Sequence, residues 1–490
     1  MRTRRVVPTA LLAAGLVALL AACADSSAPT ADIDVIGAPE DPFDAGARLS
    51  PAGQLIRAAT AEGLVGLDEQ GRVIPAMADR WIVTDDGLSY IFRLRDGSWP
   101  DGTEISGETA RQSLHAALAA IAGTGLALDL APIDEIRAMA GRVIEIRLRH
   151  PVPDLLQLLA QPELGLLHKG TGDGPMALRR DGAIALLAPI PPGRLGLPQA
   201  DDWRETVRSL RLQAWPAHLA TQRFADGKVD VVLGGRFNNL PLAQAVAGIA
   251  RRPLRIDPAP GLFGLAFETT RNWLVIPECR EAMAMAVDRD ALGNALGLGS
   301  WAGTTLTVPP MPGTATPERW ADRTLTQRRT EAAGRIGRCK ARSGDPGPLR
   351  LALPDGPGAD ALHARLAEDF AAIGVALARV PPRAGSDLRL IDAVARSARP
   401  EWYLHQLSCA VLHGPCSEAA DTALAAAATE PDAARAAQLV AQASGVANSA
   451  NIFIPLGNPI RWALVRDRVD GFAANPAAFH PLPPFARRGN

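Results

Sequence analysis

Residues 88–95 show an alternating pattern, in which Tyr90, Phe92 and Leu94 alternate with Ile91 and two arginines, the second of which follows Leu94. A period of two is typical of a strand with one buried face and one mostly solvated face. A second apolar run covers residues 81–84, and the Asp-Asp-Gly between the two runs has the composition of a tight turn. The pattern therefore predicts a β-hairpin.

Other segments repeat their apolar residues at helical spacing. Ser106 is suited to cap a helix that carries Leu114, Leu118 and Ile121 on one side. Residues 151–198, rich in Pro and Gly, indicate loops and short strands. Further elements are predicted as strand, helix and strand over 203–235, as helices over 278–292 and 360–373, and as a helix pair over 419–445 that breaks at Glu430-Pro431. This mixed order predicts an α/β protein with more than one sheet.

Composition limits the classes of protein that remain. The chain has 490 residues, 47% of them hydrophobic and 21% charged, and its net charge is −1. This length predicts two or three folded units, and the hydrophobic fraction is too high for a disordered tail. Because the charges balance, nucleic acid is not expected as a partner.

The first segment of the chain is basic, then apolar, and ends in Leu20-Ala-Ala-Cys23. This order resembles a bacterial lipoprotein signal, so we expect residues 1–22 to be removed and Cys23 to carry the lipid. An ordinary signal peptide and a single spanning helix are the alternatives, although the apolar run is short for a span of about 20 residues. We expect a periplasmic or other extracytoplasmic location at the cell envelope, with membrane contact through the lipid alone and residues 23–38 as a flexible tether.

In that oxidising compartment, the remaining cysteines are expected to form disulfides. Cys409 and Cys416 are paired in this prediction because they lie close in the sequence, which leaves Cys279 and Cys339 as the second pair. The mature protein would then have no free thiol.

A metal site is the alternative for one of these pairs. His405, Cys409 and His413 follow one another at intervals of four residues, which would place them on one face of a helix, and Cys416 comes soon after. Such a set could hold Zn or Cu. The Gly-Pro between His413 and Cys416 breaks a helix, so the disulfide is favoured and no metal is expected.

Local motifs of catalysis are absent from the sequence. It contains no H-E-x-x-H, no G-x-S-x-G and no G-x-x-x-x-G-K-[ST], so the zincin, α/β-hydrolase and P-loop classes lose their signatures. We therefore expect no enzyme activity and no cofactor.

Several motifs, taken together and in order, resemble one family. They are Glu62-Gly-Leu-Val-Gly-Leu-Asp68, Val73-Ile-Pro-Ala-Met-Ala-Asp-Arg-Trp81, residues 85–97, Trp99-Pro-Asp-Gly-Thr103, Gly170-Thr-Gly-Asp-Gly-Pro-Met176, residues 224–232, residues 280–289, Ile454-Pro-Leu456 and Val469-Asp-Gly-Phe472. Their order and spacing resemble those of the extracytoplasmic solute-binding proteins of peptide/nickel-type ABC importers, solute-binding protein family 5. The resemblance covers nearly all of residues 50–480.

The resemblance implies a periplasmic-binding-protein fold, type II-like, with two α/β lobes joined by crossing strands and an additional inserted domain. Residues 39–50, 165–262 and 464–490 would form lobe I, residues 51–164 the inserted domain and residues 263–463 lobe II. A monomer of this kind captures a small solute between its lobes and delivers it to the permease subunits of an ABC importer. The alternative is an envelope sensor or interaction lipoprotein with the same fold, and neighbouring permease and ATPase genes would favour the importer.

The resemblance also suggests ligand-binding residues. Arg399 stands where peptide-binding members have the Asp that receives the peptide ammonium group, so peptide transport is in doubt. An Arg399 that faces the cleft would favour an anionic ligand, whereas an Arg399 on the surface or paired with Glu401 would not. The other candidates are Trp402 and Tyr403, which either stack on the ligand or form core, Glu268 at a position where Asn is usual, and Arg236, Phe237 and Asn238 after a strand.

Overall fold

The computed structural model describes residues 30–248, 252–269, 272–309 and 317–488. The strands of these residues are β1 (Thr30–Ile36), β2 (Val65–Leu67), β3 (Val73–Pro75), β4 (Ala78–Val83), β5 (Ser89–Leu94), β6 (Ile133–Ala138), β7 (Val143–Leu148), β8 (Leu167–His168), β9 (Thr171–Gly172), β10 (Met176–Asp181), β11 (Ile184–Pro189), β12 (Ser209–Trp215), β13 (Val231–Arg236), β14 (Leu254–Ile256), β15 (Gly261–Phe267), β16 (Leu349–Ala352), β17 (Leu377–Val380), β18 (Leu388–Val394), β19 (Phe453–Gly457) and β20 (Arg461–Val465).

The α-helices lie between and around these strands. They are α1 (Pro51–Thr60), α2 (Gly107–Ala120), α3 (Gly125–Asp129), α4 (Leu155–Leu159), α5 (Ala217–Ala225), α6 (Leu240–Ala247), α7 (Pro277–Ala286), α8 (Arg289–Ala295), α9 (Leu325–Ser343), α10 (Pro357–Ala371), α11 (Pro400–Gln406), α12 (Glu418–Thr429) and α13 (Ala433–Ala450). Within the described residues, none of these helices has the length and hydropathy needed to cross a bilayer.

Lobe I is built on a seven-stranded sheet of order β10-β11-β12-β1-β13-β20-β14. Strand β1 lies inside this sheet and pairs in parallel with both β12 and β13. The predicted tether is therefore wrong from Thr30 onward, because Ile33 and Val35 are buried in the sheet core and Asp34 is buried against Arg223. The predicted signal peptide, Cys23 and the first part of the tether lie outside the described residues.

Lobe II is built on a five-stranded sheet of order β17-β16-β18-β15-β19. The chain passes from the first sheet to the second between β14 and β15, and it returns between β19 and β20. Because β14 pairs with β20 and β15 pairs with β19, the two connections run side by side and form the hinge. Gly261 stands at this crossing, where a Cβ atom would lie 2.1 Å from the carbonyl oxygen of Ala393. Only glycine fits there.

A separate four-stranded sheet, β4-β5-β7-β6, forms the inserted domain together with α2, α3 and α4. Helix α1 packs with the seven-stranded sheet instead, since Ala52, Leu55 and Ile56 belong to the core of lobe I. The inserted domain therefore begins after α1 and not at residue 51. Similarly, β20 starts at Arg461 and belongs to the seven-stranded sheet of lobe I. Lobe II therefore ends before residue 461 and not at residue 463.

A buried ion cluster joins the inserted domain to lobe I. Arg95 comes directly after β5, and its side chain is only 2% exposed. Its guanidinium pairs with the carboxylate of Glu62 and, at 2.7 Å, with that of Asp173. Burial would lower the pKa of Arg95, but the two carboxylates hold it above its usual value. Gly174 packs so closely on α1 that a Cβ there would lie 2.7 Å from the carbonyl oxygen of Ala59. Three of the motifs that resemble the family, residues 62–68, 85–97 and 170–176, therefore meet where the inserted domain joins lobe I.

Most of the predicted elements are present. The hairpin is β4 and β5, and Ser106 caps α2 by accepting a bond from the backbone N–H of Thr109. The predicted helix over 278–292 is in fact two helices, α7 and α8, because Asp288 accepts from the N–H of Ala291 and caps a new helix. The helix pair after residue 418 breaks where predicted. Both predicted disulfides, Cys279–Cys339 and Cys409–Cys416, are present.

Candidate functional site

A cavity of about 580 Å³ lies between the two lobes, beside the hinge. All three parts of the chain contribute to its walls, and this volume lies within the range of about 300–1,000 Å³ that is usual for small-molecule sites. The lining residues that bear on its chemistry are Gln54, Arg236, Arg461 and Phe479 of lobe I, Asp154, Gln157 and Gln161 of the inserted domain, and Asp392, Arg396, Ser397, Trp402 and Gln406 of lobe II.

Polar contacts between the lobes border this cavity. Ser397 of lobe II donates to Asp154 of the inserted domain at 2.6 Å, and Arg396 lies 3.6 Å from Glu163. Farther along the same boundary, His405 Nδ1 and Asp129 Oδ1 are 2.7 Å apart. Since each of these pairs joins lobe II to the inserted domain, the structure shows these two parts of the chain in contact beside the cavity.

Strands β13, β18 and β20 bring two guanidinium groups and one carboxylate to the floor of the cavity. Arg461 Nη1 donates to Asp392 Oδ1 at 2.6 Å, and Arg461 Nη2 donates to the carbonyl oxygen of Asp392 at 3.0 Å. Arg236 lies 4.0 Å from Asp392 Oδ2, beyond hydrogen-bond distance. Burial, with help from the positive charge of Arg461, lowers the pKa of Arg236, while Asp392 acts in the opposite direction. The floor therefore carries a net positive charge.

The lobe II wall offers hydrogen-bond donors that have no acceptor. Trp402 is 2% exposed and lines the cavity, yet its Nε1 has no hydrogen-bond partner among the described residues. Gln406 Nε2, one helical turn farther along α11, is likewise unpartnered there, but it lies against Gly125 of α3, where a Cβ atom would be 2.0 Å from it. A buried donor without an acceptor costs about 1–3 kcal/mol. A ligand acceptor that reached Trp402 Nε1 would remove that cost.

The structure separates the predicted ligand-binding residues into two groups. Arg236 and Trp402 line the cavity, whereas Tyr403 is buried behind Trp402, with the two rings 4.9 Å apart and perpendicular. Burial raises the pKa of Tyr403 to about 12, so it is a neutral core residue.

The other candidates are held by internal contacts. Arg399 pairs with Glu401 at the start of α11 and is not part of the cavity lining. Of the two possibilities given for Arg399 in the sequence analysis, the structure shows the pairing with Glu401 and not the position facing the cleft. Glu268 pairs with Arg389 at 3.1 Å. Phe237 is core, packed on Phe263, and Asn238 Nδ2 donates to the carbonyl oxygen of Asp355 at 2.7 Å across the lobes. Sequence reasoning missed Asp392 and Gln406, which have no local motif.

No cluster suited to a metal ion occurs among the described histidines, cysteines and acids. Cys409 and Cys416 are bonded to each other, and His405 is bonded to Asp129. The alternative metal set of the sequence analysis is therefore not assembled.

Comparisons with known proteins agree with this architecture. Residues 72–185 match the family model described as bacterial extracellular solute-binding proteins, family 5 Middle. Two curated relatives are the probable deoxycholate-binding periplasmic protein YgiS of Escherichia coli (strain K12), 33% identical over 21% of this chain and 23% of that protein, and the glutathione-binding protein GsiB of Shigella dysenteriae serotype 1, 24% identical over 63% and 61%. The matched part thus spans about a quarter and three-fifths of their lengths.

Among solved structures, the murein tripeptide binding protein MppA of Escherichia coli is similar over 94% of this chain and 99% of its own, with a TM-score of 0.78 and 18% identity. The predicted resemblance and the predicted fold class, two α/β lobes with an inserted domain, are therefore confirmed. These relatives are named as binding proteins and not as enzymes.

Proposed function

We propose that this chain, which resembles the bacterial extracellular solute-binding proteins of family 5 in sequence and in fold, captures a small solute between its lobes and delivers it to the permease of an ABC importer. The observation that carries the proposal is the cavity of about 580 Å³ whose walls come from lobe I, the inserted domain and lobe II. A solute enclosed in that cavity touches all three.

Capture follows from the hinge. A solute that contacts both lobes stabilises the closed form by the difference between its affinities for the closed and open forms. The contacts Ser397–Asp154 and His405–Asp129 exist only when lobe II meets the inserted domain, so solute binding and these contacts support each other. The permease would then recognise the closed form, and no covalent step is required.

The walls favour an organic solute of the size of a short peptide. The relatives are named for glutathione, deoxycholate and a murein tripeptide, which are molecules that a cavity of this volume accommodates. We propose an oligopeptide or a non-peptide solute of similar size, bound by a monomer.

We expect a solute to be retained by the purified protein and to be detected by native mass spectrometry. After its removal, the same solute at about 100 times its Kd should stabilise the protein by about 2.7 kcal/mol in a thermal-shift experiment. In Trp402→Phe, which keeps a ring but removes the donor, the affinity should fall about two- to tenfold. Uptake of the solute by cells should require the gene.

The control is Trp273→Phe. The Nε1 of Trp273 is also buried without a partner in the described residues, but this side chain lies in the core of lobe II and not at the cavity. Equal affinities in the wild type and in both variants would place the solute away from Trp402. Absence of any retained or stabilising solute would contradict the proposed function.

We also propose that Cys23 carries a lipid that holds the protein at the membrane. A Cys23→Ala variant should lose incorporation of labelled fatty acid and move from the membrane fraction to the soluble extracytoplasmic fraction. The control is Cys409→Ala together with Cys416→Ala, which should stay in the membrane fraction. Membrane retention of Cys23→Ala would contradict the lipid anchor.

A further inference from the structure

Among the described residues, the side chain of Arg236 makes no hydrogen bond. Arg396, the other lining arginine without one, lies closer to a carboxylate, 3.6 Å from Glu163. Arg236 is the last residue of strand β13, so its backbone is fixed by the sheet and by Trp462, whose Nε1 donates to the Arg236 carbonyl oxygen at 2.8 Å. Its guanidinium, by contrast, lies 4.0 Å from the nearest carboxylate, and its side chain remains 46% exposed to the cavity. The backbone of Arg236 is therefore fixed, while its guanidinium has no carboxylate within hydrogen-bond distance.

The charges around Arg236 come from each wall of the cavity. Lobe I provides Arg461, lobe II provides Asp392 and Arg396, and the inserted domain provides Asp154. Together with Arg236, these lining residues include one more cation than anions. Both carboxylates are already engaged, since Asp392 accepts from Arg461 and Asp154 accepts from Ser397.

We propose that Arg236 binds an oxyanion group of the solute, a carboxylate or a phosphate. The inference rests on the proposed function and specifies the chemical class of its ligand. An oxyanion can accept two parallel bonds from a guanidinium, which is the geometry that gives charge-assisted pairs their strength and direction. It would also balance the excess positive charge of Arg236 and Arg461 on the cavity floor.

The rest of the cavity supports the same class. Trp402, which lines the cavity, has a buried Nε1 donor without an acceptor among the described residues, and a ligand acceptor that reached it would complete its hydrogen bond. The lining carboxylates that could bind a free ammonium group are Asp392 and Asp154, and both already accept hydrogen bonds from other side chains. The cavity therefore favours an acid over an amine of the same shape.

The first test compares acids with their neutral counterparts on the protein from which any retained solute has been removed. The probes are N-acetyl-dialanine against its C-terminal amide, and N-acetyl-phosphoserine amide against N-acetylserine amide, so that the two arms distinguish carboxylate from phosphate. At least one acid should bind more tightly than its neutral counterpart, and the preference should weaken as salt is added. The retained solute should itself be an anion.

The second test replaces Arg236 with glutamine. Arg236→Gln should weaken binding of the preferred acid about ten- to a hundredfold, the range expected for a lost hydrogen bond to a charged group, and should leave binding of the neutral counterpart unchanged. Without ligand, the variant should melt at the same temperature as the wild type or higher, because it loses no internal hydrogen bond and escapes repulsion from Arg461. A purely structural arginine would instead lower the melting temperature.

Arg211→Gln is the matched control. Arg211 lies on β12 of the same sheet, its side chain is 45% exposed and its nearest carboxylate is at 3.5 Å, but it does not line the cavity. Its substitution should not alter binding of the acid.

Three results would overturn the assignment while leaving solute capture intact. They are a neutral or cationic retained solute, no acid that binds better than its neutral counterpart, and loss of acid binding in Arg399→Gln but not in Arg236→Gln. If no solute is retained and no probe binds, the proposed function fails and this inference fails with it.

Discussion

Arg95→Met is expected to lower the free energy of unfolding by about 3–5 kcal/mol, because it leaves two largely buried carboxylates without their cation. Arg95 pairs with both Glu62 and Asp173, and its Nη1 also donates to the carbonyl oxygen of Ala76 at 2.9 Å. Burial already raises the pKa of Glu62, and Arg95 lowers it only in part. Methionine fills a similar volume but offers neither charge nor donors.

Urea unfolding measures this effect, together with amide hydrogen exchange along β5, which Arg95 follows, and along α1, which ends two residues before Glu62. The control is Arg93→Met on the same strand, where the side chain is exposed and the change should be within about 0.5 kcal/mol. Adding Glu62→Gln and Asp173→Asn to Arg95→Met should recover part of the loss, since no buried charge then remains. Equal stability of the Arg93 and Arg95 variants would show that the ion cluster is not needed.

Elements whose signals are local were predictable. The alternation at Tyr90, Phe92 and Leu94 reflects a strand with one buried face, and all three side chains are at most 5% exposed. Ser106 caps α2 through a bond to a residue three positions away. In both cases, a short window of sequence contains all the partners.

Strand β1 was missed because its polar residues conceal the same kind of pattern. Ile33 and Val35 are buried, but Asp34 between them is buried as well, at 1% exposure. Its partner Arg223 lies on α5, far along the chain, and donates to Asp34 Oδ2 at 2.7 Å. A short window cannot reveal that a charged residue has a distant counterion, so the segment resembled a solvated tether.

The candidate site was only partly predictable for the same reason. Trp402 was suggested by a motif that resembles the family, and Arg236 by its position after a strand. The direction of a side chain, however, depends on the tertiary structure: Arg399, three residues before Trp402, is turned away from the cavity by its pairing with Glu401. Asp392 reaches the floor because β18 lies beside the hinge strand β15.

Replacing Cys279 and Cys339 with alanine is expected to cost about 4 kcal/mol, about twice the loss from replacing Cys409 and Cys416. The first disulfide joins residues separated by 60 positions and the second joins residues separated by 7. In the chain-entropy model, a longer closed loop restricts the unfolded chain more, which gives about 2 kcal/mol for the short loop. The second pair is therefore a matched control within the same lobe.

The location of the longer bridge adds to its effect. It ties α7 to α9, and both sulfur-bearing side chains lie in the core of lobe II, with Cys279 only 1% exposed. Hydrogen exchange should accordingly show faster opening of α9 in the Cys279/Cys339 variant, while urea unfolding measures the difference in free energy between the two variants. If both variants lose the same stability, loop length does not determine the contribution, and the loss would instead come from the contacts of each pair in the folded lobe.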